Sequence, residues 1–441
     1  MTVSAIPMGD AGSSGDYAGD RSRRPAPLGT RYRWLWTSSG LSNLADGIVK
    51  VAMPLVAVRY TQSPTLIAGL AFALTLPWLL FALPAGAFAD RWDRRKTMLW
   101  ANVGRAVLLG ALAVIMLTGL GSIWALFVFA FCVGSAETVY DTSAQSFLPA
   151  IVERDQLSRA NGRLYAAELT ANQFIGPPIG GVLVVVGAGV AFLTPVALWV
   201  LAVGALLLLR GSYRIERHTR TTLRADIGEG LRFLWGHRVL RTLAIITGVS
   251  NLAMSAAGAV LVLYLVGPES AGRLTDPQYG LLMTATAVGG LLGSVVADRV
   301  ERGIGRSRSL ALTVVGGAVL TAAPALTASA WVIGAAFFVG GLSVVIWNVI
   351  AVSLRQRIVP DRLLGRVNSG YRLVAWGTLP LGAALGGVLA DLLGLRAVFA
   401  LMGLAILALL ALLRLLSDDA LDAAERAAVA ESSTGRRGRG A

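Results

Sequence analysis

The sequence predicts an all-α membrane protein of twelve transmembrane helices in two six-helix pseudo-symmetric halves. Three observations carry this: an apolar composition, a series of apolar runs each long enough to cross a bilayer, and an internal repeat. Of 441 residues, 55% are hydrophobic and 15% are charged. The mean hydropathy is +0.66, well above that of a water-soluble domain of this length. A bilayer core of roughly 30 Å takes about 20 apolar residues per helix, so twelve spans use on the order of 250 residues and leave only short loops and two tails.

The apolar runs lie near 34–60, 65–89, 98–119, 122–148, 164–186 and 189–209, then near 240–266, 277–297, 310–328, 330–352, 371–391 and 396–416. This divides the chain into an N-terminal tail (1–33), a first half (34–209), a linker (210–239), a second half (240–416) and a C-terminal tail (417–441). In the linker Leu223, Ile227, Leu231 and Leu234 recur at helical spacing, as in an amphipathic helix lying on the membrane surface. The mixed-charge tail from Ser417 reads as a frayed helix and a disordered end. The first 33 residues are polar, and the apolar run after them is too long for a signal-peptide core, so it is expected to stay as a span.

Arginine and lysine set the orientation, because loops rich in them stay on the cytoplasmic side. Alternate loops carry Arg91, Arg94, Arg95 and Lys96, then Arg154, Arg159 and Arg163, then eight arginines from Arg210 to Arg241, then Arg299, Arg302, Arg306 and Arg308, then Arg355, Arg357, Arg362, Arg366 and Arg372. The opposite loops carry only Arg59, Arg273 and Arg396. Both termini are therefore expected in the cytoplasm, with the chain multi-pass in the cell membrane.

The halves repeat one another. Ser42-Asn43-Leu44-Ala45 recurs as Ser250-Asn251-Leu252-Ala253, and Ala89-Asp90-Arg91 as Ala297-Asp298-Arg299, both at a shift of 208 residues. Arg159-Ala160-Asn161 recurs as Arg366-Val367-Asn368 at a shift of 207. Three matches within one residue of the same offset, each in the corresponding place of a six-span half, point to two parallel repeats around a central cavity.

The net charge of +14 is spread over short runs between spans rather than gathered on one domain, which argues against nucleic acid as a partner. The single cysteine, Cys132, lies in an apolar run, and His218 and His237 share one polar segment. Neither a disulfide framework nor a metal site is expected, and no cofactor. Neither lysine, Lys50 or Lys96, lies in a Gly-rich phosphate-binding loop. Any pumping must draw on an ion gradient.

Charges within spans are costly and mark functional positions. Asp46 and Lys50 lie in the first span, Arg105 in the third, Glu137 and Asp141 in the fourth. Asp46 is about 18 Å along its helix from Trp34, near mid-membrane. It either binds a proton or substrate, or pairs with Lys50 one turn away. Glu137 and Asp141 share a face, and Arg105 at a depth similar to Asp141 is a cation for that pair, leaving Glu137 to hold a proton. Asn43, Asn251, Tyr140, Asn172, Asn348 and Trp376 are cavity candidates.

The segment Gly86-Ala87-Phe88-Ala89-Asp90-Arg91-Trp92-Asp93-Arg94-Arg95 resembles the loop signature between the second and third spans of the major facilitator superfamily, with Asp93 where that pattern has a glycine. Gly176-Pro177-Pro178-Ile179-Gly180-Gly181 is similar to the Gly-Pro signature of its exporters, and its small residues four apart allow close helix packing. The stretches Ser42–Pro54 and Glu137–Pro149 and the run Arg159-Ala160-Asn161-Gly162 add to the likeness, which covers about 34–416. The branch it resembles contains enterobactin-exporter-like and macrolide-efflux-like transporters.

That resemblance implies a secondary transporter rather than an enzyme, with proton-coupled efflux of an amphiphilic small molecule of drug, macrolide or siderophore class by alternating access. Small amphiphile, protons and lipid are the expected partners, and a monomer the expected state. The rival readings are an importer of a small solute and a non-transporting receptor or scaffold on the same fold. The resemblance also implies a cytoplasmic gating network of Asp90, Arg91, Arg94 and Asp141, echoed in the second half by Asp298, Arg299 and Arg302, with Asn348 standing where Asp141 would fall.

Overall fold

The computed structural model describes residues 28–91, 93–153, 156–209, 211 and 223–437. Twelve helices among them are long and apolar enough to cross a membrane: Gly29–Ala57, Pro64–Phe81, Arg94–Leu117, Ile123–Ala144, Arg159–Val186, Ala188–Leu207, Arg238–Leu265, Asp276–Ile304, Arg306–Leu326, Ala330–Ile358, Leu363–Leu393 and Leu395–Leu413. They are the first to twelfth spans below. Several begin before the apolar run does, because a helix continues through polar residues such as Thr30 and Arg33 as they leave the bilayer.

Local chemistry sets the helix ends. The Asp93 side chain accepts from the Lys96 backbone N–H at 3.1 Å and caps the third span. A glycine could not do this, so the departure from the superfamily pattern substitutes a cap for a flexible turn. The eighth span starts with a capping box between Thr275 and Gln278.

In the fifth span the helix widens to a π-helical turn over Leu169–Ile175, directly before Gly176-Pro177-Pro178. A proline lacks the N–H of the ordinary i→i−4 bond and its ring crowds that carbonyl, so the turn opens to accommodate both. The glycines beyond it serve close approach. A Cβ at Gly176 would lie 2.7 Å from the Gly47 Cα, and one at Gly180 would lie 2.8 Å from the Ile48 carbonyl oxygen, both in the first span. A Cβ at Gly181 would meet the Asp276 carbonyl oxygen of the eighth span at 2.4 Å.

The halves meet chiefly through the second span against the eleventh and the fifth against the eighth. Their tightest contacts gather at the end away from the chain termini, where Gly181 faces Asp276 and a Cβ on Gly387 would lie 2.8 Å from that of Ala68. At the end that bears the termini, a cavity of about 1180 Å³ opens along the first and fifth spans, lined by residues including Thr30, Arg33, Trp36, Gly40, Arg163 and Ile175.

Two expectations are corrected. The linker helix, Leu223–Gly236, packs on the start of the eleventh span. Leu234 is fully buried, Leu231 packs against Gly370, and Glu229 pairs with Arg366. Gly230 permits this approach, since a Cβ there would strike the Arg366 carbonyl oxygen. The apolar stripe needed a partner, and the start of the eleventh span supplies one; the side chains of Leu223 and Ile227 lie outside the described residues.

The C-terminal tail is likewise not frayed over its first turns: Asp418–Arg437 is a helix docked on the second half. Arg306 binds Asp422 and, at 2.6 Å, Glu425; Arg357 is 3.6 Å from Glu425; and the Ser307 N–H donates to Asp418 at 2.9 Å. Acidic residues in its first turns complement both the helix N-terminus and these arginines.

Candidate functional site

Four spans of the first half converge on Arg105. Its Nη1 donates to the Asp46 Oδ1 at 2.7 Å, with the arginine side chain fully buried and the aspartate 7% exposed. The guanidinium carbon lies 4.6 Å from the Tyr140 ring centroid and 5.3 Å from that of Trp199, so two aromatic faces supply attraction where water cannot. Its Nε and Nη2 have no hydrogen-bond partner among the described residues. Below the pair the Ser42 hydroxyl donates to the Asn102 Oδ1 at 3.1 Å.

A second, wetter group adjoins it. The Lys50 ammonium lies 3.8 Å from Glu137 and donates to the Asn172 Oδ1 at 3.2 Å, and the Asn172 amide reaches the Asn43 Oδ1 at 3.4 Å. Lys50 is 46% exposed and Glu137 15%. Asp141, one turn from Glu137, has Glu137, Asp46, Arg105 and Glu168 as its electrostatic neighbours.

The charged residues singled out in the sequence thus come together, but in different pairs. Arg105 takes Asp46, not Asp141, and Lys50 takes Glu137, not Asp46. Two residues one turn apart on a helix can pair with each other, yet both point at neighbouring spans here, and Asp46 gains in Arg105 a partner far better shielded from water than Lys50. Tyr140 is buried under the guanidinium and forms part of the pair's seat rather than a cavity wall. Trp199 was not singled out at all; a lone Trp in a span most often signals an interface position.

In the gating network Arg94 is buried at the start of the third span, while the side chains of Asp90 and Arg91 lie outside the described residues. Asp298, Arg299 and Arg302 are exposed, and the two arginines donate to carbonyls of their own helix, at 3.1 Å each. Of the cavity candidates in the second half, Asn251, Asn348 and Trp376 line one cavity of about 280 Å³.

Sequence reasoning missed the contacts that join the halves at the far end. Arg59 pairs with Asp276 at 2.9 Å and donates to the Val184 carbonyl at 3.0 Å, and Thr65 donates to Asp391. Arg59 entered the sequence reading only as a charge count. Its partners lie in other spans, and neither pair falls at the repeat offset, so no sequence signal marked them.

Two six-span halves closed against each other at one end, with a buried ion pair inside the first, define a membrane transporter of major facilitator type. The chain belongs to the transmembrane secretion effector family of that superfamily, whose model matches residues 24–434. It is a multi-pass membrane transporter and not an enzyme. Its relatives include the multidrug efflux pump Tap of Mycolicibacterium fortuitum, 29% identical over 379 residues, covering 80% of this chain and 88% of that one. The Tap protein of Mycobacterium tuberculosis is 29% identical over 371 residues, covering 80% and 85%. Similar solved folds include the nucleoside transporter NupG, with a TM-score of 0.70 at 12% identity over 87% of this chain and 99% of that one. A bacterial homologue of the iron transporter ferroportin in its inward-facing state has a TM-score of 0.69 at 19% identity, covering 87% and 97%.

Proposed function

We propose that this transporter exports an amphiphilic small molecule across the plasma membrane in exchange for protons, with both termini in the cytoplasm. The arginine-rich alternate loops support that orientation. On it, the end away from the termini is the outer one, and Arg59–Asp276 and Thr65–Asp391 close it, as in an inward-facing transporter. The efflux pumps among its relatives and the Gly-Pro motif in the fifth span support the outward direction.

The observation that carries proton exchange is the buried Asp46–Arg105 pair. Protonating Asp46 would remove the charge that holds Arg105 and leave a buried cation with two further unpaired donors, a change worth several kcal/mol. A proton at Asp46 therefore changes which conformation is favoured, which is what coupling requires. The part-exposed Lys50–Glu137 pair is the route by which proton or substrate reaches it. In the opposite conformation Asp90, Arg91, Arg94 and Asp141 latch the cytoplasmic side, an Arg between carboxylates making charge-assisted bonds. The test is efflux in proteoliposomes under an imposed pH gradient. Asp46→Asn is expected to retain downhill movement of substrate and lose uphill, gradient-driven movement; uphill transport by that variant would remove Asp46 from coupling.

A further inference from the structure

The two halves fill equivalent positions in opposite ways. A shift of 208 residues carries Asp46 and Arg105 to Met254 and Thr313, and a shift of 207 carries Tyr140 and Trp199 to Trp347 and Ile406. All four of the latter line the cavity of about 280 Å³ in the second half. Where the first half builds its buried ion pair, the second half leaves space.

The charge lining that space is one-signed. Among the described residues Arg355 and Arg372 are its only charged ones, and no carboxylate lines it. Arg355 is 9% exposed, its guanidinium lies 4.1 Å from the Tyr371 ring centroid, and its Nε has no hydrogen-bond partner among the described residues. Arg372 lies 4.4 Å from the Trp376 ring centroid, with Asp141 of the other half as its electrostatic neighbour. A buried cation resting on an aromatic face, with a donor left over and no acid on the wall, is a seat for an anion. The flat walls are held rigid: the Trp347 indole donates to the Thr247 hydroxyl at 3.0 Å, which is 2.6 Å from the Tyr371 hydroxyl.

We infer that this cavity is the substrate's recognition site in the second half, and that it takes an aromatic ring bearing an anionic group, with Arg355 as the anion's partner. This rests on the transport reading above and deepens it. A volume of about 280 Å³ lies at the small end of ligand pockets, roughly 300–1,000 Å³. It admits a substituted ring, while the rest of a larger amphiphile extends beyond it. The transported class is therefore an aromatic acid or zwitterion rather than a purely cationic amphiphile.

A matched pair of dyes isolates the anion. Rhodamine B carries a carboxylate on its phenyl ring, and its ethyl ester carries none while keeping the same cationic body. Fluorescence anisotropy of each, on the full chain in nanodiscs with empty discs subtracted, gives the two affinities. The free acid is expected to bind about ten-fold more tightly, as loss of one charge-assisted bond requires. Arg355→Gln should bring the ratio below about two-fold with ester binding unchanged, and Arg355→Lys should keep part of the preference. Should Arg355→Gln not fold by thermal unfolding, Met254→Trp, which fills the cavity from its far wall, must abolish the preference instead. Equal binding of acid and ester by the unmodified protein, or an undiminished preference in a folded Arg355→Gln, overturns the inference. Proteoliposome transport separates the two readings: both dyes moved outward without acid preference leaves export standing and this site refuted, while acid preference without outward movement of either dye does the reverse.

Discussion

Arg59 and Asp276 lie in different halves of the molecule, 217 residues apart in sequence, and meet at 2.9 Å at the end of the bundle away from the termini. Any opening at that end must separate them. The Arg59 side chain is 46% exposed, so the pair contributes only about 0.2–1 kcal/mol to the closed state. Arg59→Ala is expected to raise the outward-open population by up to about five-fold. Spin-label distances between the outer ends of the fifth and eighth spans report this, and a distribution identical to wild type removes the pair from gating.

The Asp46–Arg105 pair should behave as a buried one. Asp46→Asn leaves Arg105 uncompensated and is expected to cost about 3–5 kcal/mol, seen as a lower unfolding temperature in detergent. Asp46→Asn combined with Arg105→Gln removes both charges and should recover most of that loss while remaining unable to couple transport to a pH gradient. A double variant no more stable than the single one contradicts this account.

Orientation is tested with single cysteines in a Cys132→Ala background. Leu120, in the exposed turn between the third and fourth spans, should as Leu120→Cys react with an impermeant maleimide added to whole cells. Arg308→Cys, beyond the eighth span, should react only after permeabilisation. The reversed pattern inverts the topology and, with it, the inward-facing reading.

Two glycine substitutions separate packing from propensity. A Cβ on Gly47 would sit 2.4 Å from the Asn172 carbonyl oxygen, which belongs to the backbone and cannot rotate away. Gly47→Ala should therefore destabilise by about 1–3 kcal/mol and reduce transport. Gly104, with nothing within 4 Å of its Cβ position, should accept alanine with a change of under about 1 kcal/mol, toward greater stability. Thermal unfolding of the two variants side by side is the measurement.

The number of spans, the internal repeat and the residues of the charged cluster were legible in the sequence, because each is a property of single positions or of periodicity. The pairing was not. Asp46 and Lys50 are one turn apart and read as partners, whereas their actual partners, Arg105 and Glu137, come from spans whose relative rotation is set by packing. The linker helix shows the same limit: its apolar stripe was plain, but a stripe does not reveal whether lipid or another helix covers it. The cavity in the second half was hidden for a different reason. Met254, Thr313 and Ile406 are unremarkable alone, and only comparison with Asp46, Arg105 and Trp199 turns them into an emptied ion-pair site.

The helix Asp418–Arg437 also bears on how the molecule is assembled in time. It follows all twelve spans in the chain, yet it grips Arg306, whose partner Asp422 lies 116 residues downstream. At ~5–20 residues per second of synthesis, on the order of 6–23 s pass between the two. Throughout that interval the ends of the ninth and tenth spans carry arginines without this clamp. The clamp closes only once the last span has been made, so its closure marks a completed bundle.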